Sequence, residues 1–154
     1  MFRFAEYTPG DALKMDLRTN YLDRPDIKNC NDLHRFLEAL KGQCDIFVVG
    51  SAEQLIGIVP VFPLWPGVAE IAAFTSPEII EHKREVYEVS TRLLAFLEES
   101  KGFHRIQTTV KVGNVVALKF VESLGFKLEG TLKQYNPHGG DYFLLARVSE
   151  VKNV

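Results

Sequence analysis

The sequence predicts an α/β fold in which a mixed, mostly antiparallel sheet of six to seven strands is flanked by about four helices. Two observations predict it. Runs of β-branched and aromatic residues alternate with segments whose apolar residues recur at helical spacing, and glycine or proline ends most of these segments. The 154 residues are 46% hydrophobic and 25% charged, which fits one globular domain spanning 1–154.

The N-terminal segments are short. Residues 2–7 alternate apolar and polar side chains and predict a first strand. Residues 11–17 predict a short helix, for which Thr8 or Asp11 is the candidate cap. The polar, proline-containing stretch 20–29 predicts a loop.

A better-defined helix and a hairpin come next. Apolar residues at helical spacing predict a helix that begins at Asn29 or Asn31 and ends at Gly42. The runs 45–49 and 55–59 are rich in β-branched residues and are separated by a short polar segment. They predict two antiparallel strands joined by a hairpin loop.

The middle of the chain predicts a third strand and the longest helix. Pro60 and Pro63 indicate that the second hairpin strand soon becomes an edge strand or bends. Residues 68–75 predict a strand that would complete a three-stranded meander. Apolar residues with a 3.6-residue period predict a helix over 77–100, which Gly102 ends.

The last third predicts a strand, a helix and a pair of strands. Residues 104–110 read as a strand and 114–124 as a helix closed by Gly125. The runs 126–133 and 141–148 flank a turn rich in Asn, Pro and Gly, so they predict a terminal antiparallel pair.

Composition argues against several classes of partner. The formal charge of −2 gives no bulk attraction to nucleic acid or to an anionic membrane surface, and no apolar run approaches membrane-spanning length. Cys30 and Cys44 show no metal-ligand spacing and are too few for a disulfide framework. The first residues match no secretory or transit peptide, so we expect a cytoplasmic protein without a metal site.

The order of elements and one motif resemble the GNAT superfamily of N-acetyltransferases. The motif lies within 112–130: an asparagine opens a helix, a small residue follows three positions later, and Leu-Gly-Phe ends the segment. The continuation 127–132 and the stretch 140–143 resemble the branch that acetylates ribosomal-protein N-termini, polyamines and antibiotics. The resemblance implies acetyl-CoA as co-substrate, a small-molecule or peptide amine as acceptor, and a homodimer through the terminal strands by analogy.

The resemblance also implies which residues contact the coenzyme. Asn114 would contact the pantetheine arm, with Phe120 on the same helix. A backbone N–H from about Ala72 to Phe74, with Ala73 and Phe74 chosen as the contacts, would polarise the thioester carbonyl. From chemistry alone, the better explanation of Asn114 is that it caps its own helix, because a side-chain amide at a helix start accepts a backbone N–H.

One part of the family pattern is missing. Active members carry a glycine-rich pyrophosphate loop before the long helix, and the matching window here is 85–90, with Glu88 and Ser90 at the glycine positions. The Ser90 hydroxyl and the upstream cations Lys83 and Arg84 are candidate phosphate contacts, although the two cations are equally explained as a solvated helix start. Some phage-encoded members resemble this chain in their loosened loop.

Catalysis in this family needs a base for the amine proton. Glu70 lies in a segment similar to the strand from which some members project a glutamate base, although a solvent-facing strand glutamate is the commoner case. The tyrosine acid of many members would fall at Val121. Tyr87, Tyr135 and Tyr142 are possible substitutes that spacing does not separate.

These observations leave two main hypotheses. The first is an acetyl-CoA-dependent N-acetyltransferase that modifies a primary amine. The second is a catalytically inactive GNAT fold that serves as a structural or interaction module, with weak or no coenzyme binding; binding of an acyl-CoA without transfer is a third. The segment 83–90 is where the hypotheses differ.

Overall fold

The structure, a computed structural model, describes residues 1–17, 24 and 26–151. These residues form eight β-strands and three α-helices, somewhat more strands and fewer helices than predicted. The strands are β1 (Arg3–Glu6), β2 (Asp45–Gly50), β3 (Leu55–Trp65), β4 (Val68–Ile71), β5 (Phe74–Thr75), β6 (Arg105–Lys111), β7 (Lys127–Leu132) and β8 (Tyr142–Val148). The helices are α1 (Cys30–Ala39), α2 (Lys83–Glu99) and α3 (Val115–Ser123), and short 3-10 helices cover Asp11–Lys14 and Pro77–His82.

The chain divides into two compact units. Unit 1 comprises Met1–Phe62 and Ala72–Val89, and unit 2 comprises Pro63–Ile71 and Ser90–Val154. In unit 1, β2 pairs antiparallel with both β1 and β3, and β5 pairs antiparallel with β3. Its hydrophobic core consists of Ala12, Met15, Ile27, Leu33, Leu37, Ile58 and Phe74.

Helix α1 forms as predicted, and the structure identifies its cap. The side chain of Asn29 accepts a hydrogen bond from the backbone N–H of Asp32 at 2.9 Å, so Asn29 rather than Asn31 is the N-cap. Leu33 and Leu37, four residues apart, are both buried. The helix therefore covers the core of unit 1 with one apolar stripe.

The predicted helix over 11–17 is wrong in length, because only one 3-10 turn forms. The Asp11 carboxylate accepts hydrogen bonds from the backbone N–H and hydroxyl of Thr8, and neither residue caps the turn. Met15 already has an extended backbone and is buried with Ala12. Residues 20–23 and 25, half of the predicted loop 20–29, lie outside the described residues.

Strand β3 continues through both prolines to Trp65, and its pairing with β2 ends at Val61, between them. Pro60 is buried and lies opposite Ile46 of β2. Proline has no backbone N–H to donate, but the carbonyl of Pro60 still accepts a hydrogen bond from the N–H of Ala72 at 3.2 Å.

Unit 2 contains four strands in the order β4, β6, β8, β7. The β4–β6 pair is parallel, and the β6–β8 and β7–β8 pairs are antiparallel. The predicted strand at 104–110 and the terminal pair are thus confirmed. Its buried apolar residues are Ala69, Leu93, Leu94, Leu97, Ile106, Val110, Leu124, Phe126, Leu145 and Ala146.

The predicted strand over 68–75 is interrupted. It forms β4 and β5, which are separated by Ala72 and Ala73. β4 pairs in parallel with β6, whereas β5 pairs with β3, because the two halves of the run belong to different units. The residue pattern along 68–75 could not reveal this break, because the two alanines at the interruption fit a strand and a loop equally well.

The longest helix is confirmed, but it begins later than Pro77. Residues Pro77–His82 form a 3-10 helix whose cap, Ser76, accepts the backbone N–H of Glu78 at 3.2 Å. The α-helix itself starts at Lys83 and ends at Glu99, shortly before Gly102.

Helix α3 and the strand beside it are joined by one arginine. Arg147 of β8 donates to the carbonyl of Leu124, just after α3, at 2.7 Å. The same guanidinium forms a bidentate ion pair with Glu98 of α2, at 3.0 and 3.2 Å. Both side chains are mostly buried, so this pair ties three elements of unit 2 together.

No helix in the described ranges has the length and apolar character needed to cross a bilayer.

Candidate active site

Glu70 is positioned by the parallel pair of strands in unit 2. It lies opposite Gln107 of β6, and its Oε1 accepts a hydrogen bond from the Gln107 side-chain amide at 3.0 Å. The neighbouring residues Ala69 and Ile106 are fully buried on the other face, because successive side chains alternate along a strand. Glu70 is partly buried, and its second carboxylate oxygen has no hydrogen-bond donor among the described residues.

The parallel pairing ends at this glutamate. The last paired residues are Glu70 and Gln107, after which β6 continues to Lys111 while β4 ends at Ile71. The hydroxyl of Thr108 donates to the carbonyl of Ile71 at 2.9 Å and closes the pair. Glu70 therefore stands at the point where β4 stops following β6.

Ala73 and Phe74 follow directly in the chain, in unit 1. The N–H of Ala72 is occupied by the carbonyl of Pro60, but the N–H of Ala73 has no acceptor in the part of the chain that the structure describes. Ala73 is exposed, whereas the Phe74 ring is buried and packs on Phe36 with ring centroids 5.9 Å apart. Of the two predicted contacts, Ala73 thus offers an accessible donor and Phe74 only its backbone.

Tyr135 lies close enough to Glu70 for their electrostatics to be linked. Burial of the phenol and, after it, the negative charge of Glu70 raise the pKa of Tyr135 above its ordinary value. Its ring also meets that of Tyr142, with centroids 5.2 Å apart. The structure thereby distinguishes Tyr135 from the other two tyrosines, which the sequence could not do.

Lys83 and Arg84 are exposed in the first turn of α2. Arg84 pairs with Glu88 at 3.3 Å, and the two side chains are 88% and 51% exposed. Such an exposed pair is weak, so the arginine can exchange this partner for another anion at little cost.

The window 85–90 lies inside α2 and not before it. The backbone N–H groups of Glu88 and Ser90 are therefore engaged within the helix and cannot form a phosphate cradle. Ser90 is partly buried on the same helix.

Asn114 is the N-cap of α3, as its chemistry predicts. Its Oδ1 accepts the backbone N–H of Ala117 at 3.2 Å. The amide nitrogen has no hydrogen-bond acceptor within the described ranges, so capping uses only half of the side chain. Phe120 is partly buried one turn further along α3.

Sequence reasoning missed three residues around Glu70. Gln107, Arg105 and Glu129 are polar residues in strands, a pattern that by itself only indicates a solvated face. Alternation along β6 places Arg105 and Gln107 on one face, but the contact between Gln107 and Glu70 depends on the pairing of β4 with β6. Across residues 1–17, 24 and 26–151 there is no group of three or more side chains suited to a metal ion.

A family model described as Acetyltransferase (GNAT) domain matches residues 13–143. No curated protein sequence matches significantly.

Solved structures give the same fold. The chain is similar to spermidine N-acetyltransferase from Vibrio cholerae in complex with CoA and spermine, with 21% identity and a TM-score of 0.78 over 97% of this chain and 96% of that one. The chain is also similar to ribosomal-protein-S5-alanine acetyltransferase from Vibrio fischeri, with 18% identity and a TM-score of 0.74 over 99% of this chain and 96% of that one. An acetyltransferase of the GNAT family from Streptococcus pneumoniae shares 14% identity and gives a TM-score of 0.71, over 97% of this chain and 100% of that one.

Proposed function

We propose that Glu70 is the general base of an acetyl-transfer reaction, because the chain belongs to the family of GNAT acetyltransferase domains. Members of this family transfer an acetyl group from acetyl-CoA to an amine, and the protein is an N-acetyltransferase of this kind. The observation that carries the proposal is the carboxylate of Glu70 itself. One of its oxygens is held by Gln107, and the other is left for an amine.

The base has a defined task. A primary amine is largely protonated at neutral pH and becomes a nucleophile only when it loses that proton. The free oxygen of Glu70 accepts the proton. When bound, acetyl-CoA supplies the acetyl carbon, which forms a bond to the amine nitrogen as its bond to sulfur breaks.

Two other groups complete the chemistry. The accessible N–H of Ala73 donates to the acetyl carbonyl oxygen, where negative charge develops. Tyr135 keeps its proton at neutral pH, as any phenol does, and would give it to the departing sulfur. Tyr135 thus takes the acid role that Val121 cannot fill.

The chain has candidate contacts for the coenzyme despite the missing glycines. The amide nitrogen of Asn114 would donate to the pantetheine arm, with Phe120 on the same helix, and Lys83 and Arg84 would pair with the phosphates. Side-chain cations and the Ser90 hydroxyl would then replace a backbone cradle. The family match does not favour the alternative of an inactive fold.

The acceptor is a small-molecule amine in the first instance. Spermidine is the substrate named for one similar structure, and we propose a polyamine of this class for this chain. A peptide N-terminus is the second candidate, because another similar structure acetylates a ribosomal-protein alanine. We further propose that 1–154 acts as one domain, in the cytoplasm, and as a homodimer.

Acetyl transfer and coenzyme binding test the proposal separately. Purified protein is incubated with acetyl-CoA and either spermidine or a peptide with a free N-terminal alanine, and both thiol release and product mass are measured. Glu70→Gln should slow acetylation by about 100- to 10,000-fold. Glu53→Gln, at an exposed loop position, should not.

Thermal unfolding with acetyl-CoA reports binding alone. At one hundred times the dissociation constant a one-site ligand adds about 2.7 kcal/mol of stability, and Glu70→Gln should keep this gain. Absence of any stabilisation at millimolar acetyl-CoA would favour the inactive fold. A Glu70→Gln variant with wild-type turnover would remove Glu70 from the mechanism.

A further inference from the structure

A chain of hydrogen bonds leads away from Glu70 across one face of unit 2. Gln107 donates to Glu70 through Nε2 and accepts at Oε1 from Nε of Arg105, at 3.0 and 3.1 Å. Arg105 in turn holds both oxygens of Glu129 in a bidentate pair, at 3.0 and 2.6 Å. Three strands, β4, β6 and β7, contribute the four side chains.

A bulge in β7 places the far end of this chain. The register between β7 and β8 shifts between Leu128 and Gly130, so Glu129 is the extra residue with no partner on β8. A bulge redirects the side chain of its extra residue. Here Glu129 reaches across β8 to Arg105, and the ion pair raises the pKa of the guanidinium and lowers that of the carboxylate.

The pair determines which way the Gln107 amide faces. A guanidinium has only donors, so the amide oxygen of Gln107 must point to Arg105. Its NH2 group must then point to Glu70, which accepts. Without Arg105 both orientations of the amide would be open, and one of them would set two oxygens against each other.

We infer that Gln107 and Arg105 are positioning residues for Glu70, with Glu129 anchoring Arg105; this inference rests on the proposed role of Glu70 as base. Gln107 fixes one carboxylate oxygen and thereby the direction of the other. The neutral amide also keeps the Arg105 cation from pairing with the base directly, which would occupy the oxygen that must accept a proton.

Kinetics with acetyl-CoA and spermidine, or with the alanine peptide if that is the acceptor used, test this inference. Gln107→Met keeps the length of the side chain and removes its hydrogen bonds. It should lower kcat by about 10-fold and leave KM for acetyl-CoA within about two-fold, because a hydrogen bond to a charged group is lost while the coenzyme contacts remain. Gln43→Met, an exposed glutamine in unit 1, is the matched control and should be neutral.

A double variant separates positioning from a merely structural role. If Gln107 acts through Glu70, the Glu70→Gln, Gln107→Met double variant should be no slower than Glu70→Gln alone. A further 10-fold loss in that background would overturn the inference, as would wild-type kcat for Gln107→Met. Arg105→Met should resemble Gln107→Met.

The failure of the two proposals can be told apart. If Glu70→Gln is slow and Gln107→Met is normal, the base is right and the positioning is wrong. If Glu70→Gln has wild-type turnover, the base is wrong and the positioning inference falls with it. The melting temperature of each variant is measured as well, because a variant that melts like the wild type is folded and its slow turnover then reflects catalysis.

Discussion

Replacing Asn114 by aspartate and by alanine separates helix capping from coenzyme binding. The Oδ1 of Asn114 caps α3, and the amide nitrogen is the part that would contact acetyl-CoA. Aspartate keeps an oxygen acceptor for the N–H of Ala117 and loses the amide donor, whereas alanine loses both. The two variants should therefore differ in stability and agree in binding.

The magnitudes follow from the contacts. Loss of an asparagine cap costs about 1 kcal/mol, which lowers the melting temperature of a chain of this size by about 2–4 °C. Asn114→Asp should melt no lower than wild type, since a carboxylate is favourable at a helix N-terminus. Both variants should bind acetyl-CoA more weakly by about 2- to 12-fold, the value of one neutral hydrogen bond.

Thermal melts without ligand and titration calorimetry with acetyl-CoA give the two quantities. Asn31→Ala is the control, because Asn31 is exposed in α1 and is not its cap. Wild-type affinity in Asn114→Asp would show that Asn114 only caps its helix. An equal loss of stability in the aspartate and alanine variants would refute the capping argument.

Two further predictions concern the stability of unit 2. Arg147→Met removes the ion pair with Glu98 and the hydrogen bond to the carbonyl at the end of α3. Because both charged side chains are mostly buried, we expect the free energy of unfolding to fall by about 2 kcal/mol and the melting temperature by about 4–8 °C. An unchanged melting temperature would contradict this expectation. Gly67→Ala would put a Cβ 2.4 Å from Nδ1 of His104 at a φ of +82°, whereas Gly102→Ala, at +76°, meets open space. Gly102→Ala should lower the free energy of unfolding by about 1 kcal/mol, because alanine is strained at a positive φ. Gly67→Ala should lose a further ~1–3 kcal/mol, because its Cβ also overpacks against His104. Equal melting temperatures of the two variants would disprove the clash.

Elements with local signals were predictable. Helices α1 and α3 each combine an asparagine cap, apolar residues at helical spacing and a glycine shortly after the end. Those signals depend on neighbouring residues alone, so the sequence was sufficient. For α1 it left Asn29 and Asn31 open, because either asparagine can begin a helix.

Elements whose ends depend on pairing with distant parts of the chain were not predictable from the sequence. The run 68–75 splits because β4 pairs with β6 and β5 with β3, which lie on either side of it in the chain. The start of α2 was also misplaced, because Pro77–His82 forms a 3-10 helix and the α-helix begins only at Lys83. Glu88 lies inside the helix both in the predicted range 77–100 and in the observed range Lys83–Glu99.

The sequence by itself determined the type of fold and pointed to Glu70 and Asn114, because a motif and its caps are written in adjacent residues. Only the tertiary structure showed that Asn114 caps with its oxygen alone, and that Gln107, Arg105 and Glu129 form a chain to Glu70. Those four side chains come from three strands and meet through strand pairing and one bulge. Spacing along the chain carries no record of such pairings, so the surroundings of the base could be found only in the folded protein.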